Sequence, residues 1–147
     1  MKRVLIVIAA VILGIVGVVA IGGAFSGENE YSDSGAIIET VPTVTKISAE
    51  QAKEIMDSDE PHILLDVRTD AEYAEAHIPG AKLLTNTQIA EKAEAELPDK
   101  DAFVIVYCRS GGRSASAAQE LVDMGYTKVY DMGGILNWPY ETVSGEL

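Results

Sequence analysis

Cys108 is the only thiol in a chain of 147 residues, and it ends the apolar run Val104-Ile-Val-Tyr107 directly before the loop Arg109-Ser-Gly-Gly-Arg-Ser114. A thiol reacts as its thiolate, and the following residues can stabilise that form. Gly111 and Gly112 let the backbone curl so that successive N–H groups point inward as an anion nest. A helix expected to start at Ser114 turns the positive end of its dipole to the same place. Arg109 and Arg113 add full charges with fork-shaped donors. Together these depress the thiol below its free value of about 8.5. A free cysteine is also a common small core hydrophobe. That role gives no reason for an adjoining loop of arginines, glycines and serines, so the reactive reading is preferred. One cysteine excludes an internal disulfide, a C-x-x-C redox pair and a Cys-rich zinc site. No His/Asp/Glu cluster has metal-ligand spacing, so neither metal nor cofactor is expected.

The elements that must position this thiol can be read from the hydrophobic pattern. Ser48 and Gln51 form a capping box ahead of a helix whose apolar stripe is Ala52, Ile55 and Met56. The run His62–Val67 reads as a strand buried on both faces. Thr69 and Glu72 make a second capping box opening the short helix Asp70–Ala76. Pro79-Gly80 gives a turn and then a short extended piece. A helix from about Thr87 to Leu97 carries Ile89, Ala93 and Leu97 on one face, with Pro98 after it. Ala102–Tyr107 is the most hydrophobic strand candidate beyond the N-terminus, as expected at the centre of a parallel sheet. In the helix after the loop, Ala118, Leu121 and Val122 face inward, and Gly125 stops it. Thr127–Met132 reads as the next strand. Gly133 and Gly134 then give a tight turn, followed by a short helix bearing Trp138. Strands alternating with helices imply an α/β domain, in which ligands bind outside the strands' carboxyl ends.

The N-terminus differs in character. After Lys2 and Arg3 no charge occurs until Glu28, and Val4–Ile21 is wholly apolar or glycine. Residues 1–25 are therefore read as a membrane anchor or a signal peptide. The length of the run favours an uncleaved transmembrane helix, while Gly22-Gly23-Ala24 offers a cleavage site. In either case Lys2 and Arg3 stay in the cytoplasm, and the protein is membrane-anchored with an extracytoplasmic domain, or secreted or periplasmic after cleavage. Residues 26–42, rich in Gly, Ser, Glu and Thr, read as a flexible linker to a folded domain over 43–147. The whole chain carries −12; without Lys2 and Arg3 the part from Glu28 onward has two fewer positive charges, hence −14. So acidic a body repels phosphate backbones, and nucleic acid is not an expected partner.

The loop Cys108–Ser114 resembles the active-site loop of single-domain rhodaneses, the thiosulfate and persulfide sulfurtransferases. Leu64–Leu84 resembles that family's amino-side signature and Gly125–Glu141 its closing segment, so the similarity spans about Val44 to Glu141. It implies a rhodanese-like fold with a mainly parallel central sheet flanked by helices. It also implies that Cys108 accepts a sulfane sulfur from thiosulfate or a persulfide, becomes a persulfide itself, and passes the sulfur to cyanide, a thiol or a protein acceptor. The backbone N–H groups of Arg109, Ser110, Gly111, Gly112, Arg113 and Ser114 would cradle that sulfur. Arg113 would complete the loop, and Arg109 would help hold an anionic donor. In the family the residues at Asp66 and Arg68 help brace the loop, and an ion pair tying strand to loop serves equally well. His77 and Trp138 read as structural.

Loop length separates this reading from its nearest enzymatic rival. Cysteine-dependent phosphatases resemble C-x-x-x-x-x-R, with one residue more than Cys108 and Arg113 enclose. The shorter ring of amides suits a sulfur atom better than a tetrahedral phosphate. A non-catalytic module, using the same pocket for partner binding or redox sensing, is the alternative from another class.

Overall fold

A computed structural model describes residues 41–145. The expected N-terminal anchor or signal helix and nearly all of the expected linker lie outside them. Among the described residues no helix is long and apolar enough to cross a membrane.

Thr45–Lys46 (β1) leads into the helix Ala49–Asp57 (α1), which begins where its sequence satisfies the orphan N–H groups of a first turn. Gln51 N–H donates to Ser48 Oγ at 3.2 Å, and Ser48 N–H returns a bond to Gln51 Oε1 at 2.8 Å. His62–Asp66 (β2) runs to Asp70–Glu75 (α2), capped in the same way by Thr69 and Glu72. Lys82–Leu83 (β3) follows the Pro79-Gly80 turn. The next helix opens as a 3-10 turn, Asn86–Gln88, and becomes α-helical over Ile89–Glu96 (α3), with Ile89, Ala93 and Leu97 buried. Phe103–Cys108 (β4), Gly112–Asp123 (α4) and Lys128–Gly134 (β5) complete the core.

The strands form one sheet in the order β1-β5-β4-β2-β3, and every pairing is parallel. The strand β4 is central, as its continuous run of branched residues predicts. Its side chains alternate between two cores. Val104, Val106 and Cys108 pack with Ile89 and Ala93 of α3 and with Ala117, Ala118 and Leu121 of α4. Ile105 and Tyr107 pack with Ala52 of α1, Tyr73 of α2 and Trp138. The pleat of one strand thus decides that Cys108 faces α4 while its neighbour Tyr107 faces away.

Three expectations shift. Helix α4 starts at Gly112 rather than at Ser114, because Gly111, at φ +109°, turns the chain into the helix early. Gly133 and Gly134 do not form a turn after the strand; they lie within β5. There Val106 pairs with Asp131 and Tyr107 with Gly133, so Met132 is extruded as a bulge. Trp138 follows the short 3-10 helix Ile135–Asn137 instead of lying on it. The stop at Gly125 is a Schellman cap: Tyr126 N–H bonds the Leu121 carbonyl at 3.1 Å and Gly125 N–H the Val122 carbonyl at 2.9 Å.

Candidate active site

Cys108 is buried, 1 % exposed, at the carboxyl end of the central strand. Because α4 begins early, Gly112, Arg113 and Ser114 form its first turn, where N–H groups have no partners inside the helix. Just ahead of that turn, Gly111 N–H donates to Cys108 Sγ at 3.0 Å. Burial pushes the thiol's pKa up. Against it act the Ser114 N–H and hydroxyl, then the N–H groups of Gly111 and Ser110, and the balance lies below the ordinary thiol value. The Ser114 hydroxyl also lies 3.0 Å from the Gly111 carbonyl and 3.1 Å from the Gly133 carbonyl. A hydroxyl has one proton, so it either locks the loop to β5 or answers the charge on sulfur.

Close contact between loop and sheet depends on Gly134. A Cβ there would overlap the carbonyl oxygen of Arg109 and stand 2.7 Å from the Ser110 Cα. The bulge that brings Gly134 to this place is held by Asp131, a buried carboxylate that accepts from Gly133 N–H at 2.9 Å and from Lys46 Nζ at 3.1 Å.

The charged residues sort differently from their sequence order. Arg113 turns its guanidinium to Glu72: Nη1 and Nη2 each reach a carboxylate oxygen at 2.7 Å. That pair, with help from the Thr69 N–H and hydroxyl, draws the Glu72 carboxyl down from its ordinary 4.5 to about 2. Sequence reasoning assigned Glu72 only to the helix cap, and nothing local in the chain signals a partner 41 positions away. Arg68 grips Asp66 through Nε at 2.9 Å and Nη2 at 2.6 Å, and Nη2 also donates to the Ala76 carbonyl at 2.7 Å. The Asp66–Arg68 pair therefore ties the end of β2 to the end of α2, and the Arg68 guanidinium lies 5.6 Å from the ring of Tyr107, the residue before Cys108. Arg109 and Ser110 are exposed at the loop's rim. His77 stacks on Tyr73 with centroids 3.7 Å apart, places Nδ1 2.8 Å from the Tyr73 carbonyl, and bridges Val143 through its backbone, all packing contacts. Among the described residues no group of His, Cys, Asp or Glu could hold a metal ion.

A thiol at a strand's end, facing N–H donors of the loop and of the helix start, is a site for a sulfur-borne negative charge. A profile of the rhodanese-like domain matches residues 48–140 of the chain. The chain belongs to the rhodanese-like family. A sulfurtransferase of Allochromatium vinosum is 38 % identical over 96 residues, which cover 65 % of this chain and 88 % of that protein. The thiosulfate sulfurtransferase PspE of Escherichia coli is 35 % identical over 81 residues, 55 % of this chain and 78 % of that one. Among solved structures, a rhodanese with anions from E. coli superposes with a TM-score of 0.54 at 33 % identity, covering 57 % of this chain and 99 % of the other. The matched segment 48–140 contains the central strand that ends in Cys108.

Proposed function

We propose that this rhodanese-type sulfurtransferase carries its sulfane sulfur as a persulfide on Cys108. The observation that carries the reading is the Gly111 N–H at 3.0 Å from Cys108 Sγ. The Cys108 thiolate attacks the sulfane sulfur of the donor. A sulfur–sulfur bond forms to Cys108, the donor's own sulfur–sulfur bond breaks, and sulfite leaves from thiosulfate or a thiolate from a persulfide. The outer sulfur then lies among the N–H groups of residues 109–114, which hold its charge by fixed dipoles. An acceptor thiolate takes that sulfur, and Cys108 departs as the thiolate it began as.

Mass spectrometry tests this directly. Incubation with thiosulfate or a small persulfide should add one sulfur atom to Cys108, and a thiol should then remove it. A protein that takes up no sulfur under either donor would refute the reading.

The place of action is part of the same proposal. The apolar run after Lys2 and Arg3 supports a domain tethered to a membrane on its extracytoplasmic side, or released there after cleavage. N-terminal sequencing of the mature protein together with protease accessibility in intact cells would test it. A protease-protected domain in intact spheroplasts would overturn it.

A further inference from the structure

Beside the thiol loop lies a cavity of about 320 Å³, walled by α2 on one side and by Arg109, Ile135 and Leu136 on the other. Leu136 is fixed there by its own N–H, which bonds the Arg109 carbonyl at 3.2 Å. The cavity therefore opens at the rim of the loop that carries Cys108. Its charges are of two kinds. Arg68 is satisfied by Asp66 and the Ala76 carbonyl, and Glu72 by Arg113. Arg109 and Glu75 are exposed, and among the described residues neither side chain takes part in a hydrogen bond or an ion pair. Leu136, 67 % exposed, adds an aliphatic surface between charged neighbours.

One uncommitted cation, one uncommitted anion and a short apolar wall suit a ligand that carries both signs of charge on a small carbon frame. We propose that this cavity binds the thiol partner of Cys108 as a zwitterion, an amino-acid thiol or its persulfide, with the ammonium on Glu75 and the carboxylate on Arg109. This rests on the sulfurtransferase reading above and names its substrate class. Charge-assisted hydrogen bonds at both ends orient the ligand and turn its sulfur toward the loop. A dianion such as thiosulfate gains less here, because Glu72 and Glu75 share the wall and the body from Glu28 onward is strongly acidic. In the transfer step the acceptor thiolate bonds the outer sulfur of the Cys108 persulfide. The sulfur–sulfur bond to Cys108 breaks, its electron pair leaves with the Cys108 thiolate, and the outer sulfur carries its own negative charge away on the new persulfide. No external oxidant or reductant is consumed.

The test uses the full-length chain loaded with one sulfur on Cys108. Discharge by cysteine, cysteamine, 3-mercaptopropionate and 2-mercaptoethanol is followed by quenched mass spectrometry, with rates expressed per thiolate. Differences in intrinsic nucleophilicity cancel when each variant is compared with the parent on the same thiol. Glu75→Gln should slow cysteine and cysteamine about tenfold relative to 2-mercaptoethanol, and Arg109→Gln should slow cysteine and 3-mercaptopropionate by a similar factor. Variant-to-parent ratios that agree within about twofold across all four thiols would overturn the proposal while leaving sulfur transfer intact. Absence of discharge by any thiol from the parent chain would overturn the sulfurtransferase reading, and this one with it.

Discussion

Replacing Glu72 by Gln separates two functions that one side chain performs. The amide oxygen still accepts from Thr69 N–H, so the cap of α2 survives. The bidentate pair with Arg113 does not. In the parent the carboxyl is held at about 2 against an ordinary 4.5. At about 1.36 kcal/mol per unit that is an upper bound of about 3.4 kcal/mol of stability. Both side chains retain water contact, 21 % for Glu72 and 33 % for Arg113, and part of the depression comes from the cap that Gln keeps. Solvent screening therefore brings the expected loss to about 1–2 kcal/mol at neutral pH. Because the folded pKa is depressed, this stability is fully present above pH 4.5 and is lost as pH falls through about 2. The gap between parent and Glu72→Gln in urea unfolding should hold from pH 7 to 5, shrink to about half or less near pH 3, and close below 2. Other carboxylates titrate in both proteins and cancel in the difference. A gap that stays constant down to pH 2.5, or none at pH 7, would refute the pairing as the source of the low pKa.

Three further outcomes test the loop and its support. Gly134→Ala inserts a Cβ into the Arg109 carbonyl; it should lower stability by about 1–3 kcal/mol and sulfur loading of Cys108 by at least about tenfold, measured by urea unfolding and mass spectrometry. The alkylation rate of Cys108 should rise with pH through a midpoint below that of an ordinary thiol, and Ser114→Ala should move that midpoint up, since Ser114 N–H and hydroxyl are the largest contributions opposing burial. Arg68→Met leaves Asp66 buried without its cation and should cost about 3–5 kcal/mol in urea unfolding.

What the sequence made legible was what is local. Two capping boxes, the Gly125 stop and the apolar run of β4 each act within a few residues, and each lies where the pattern puts it. What it hid was pairing at a distance. Glu72 reads as a cap because Thr69 is three residues away, while Arg113 becomes its partner only when α2 and α4 are brought together across the sheet's edge. Gly134 looks like a turn residue until the bulge at Met132 shows that it makes room for the loop's backbone. A glycine pair after a strand carries a second signal, close approach of another chain segment, and Gly134 is where that signal applies.

The committed charges also decide what stabilises the thiolate. The sequence puts Arg109 and Arg113 forward as cations for Cys108, yet Arg113 faces Glu72 and Arg68 faces Asp66, each neutralised by a carboxylate. The leading contributions that hold the thiol low are hydrogen bonds from the N–H groups of Ser114, Gly111 and Ser110 and from the Ser114 hydroxyl. These are short-range dipoles around a buried thiol, and the nearest, Gly111 N–H, stands 3.0 Å from the sulfur. Raising ionic strength to about 1 M shortens the Debye length to about 3 Å, which screens an exposed guanidinium such as Arg109 but not an N–H touching the sulfur. The alkylation midpoint of Cys108 should therefore move by less than about 0.3 units between low and high salt, while any step that uses Arg109 weakens. A midpoint that climbs with salt by a full unit would return the thiolate's stabilisation to the arginines.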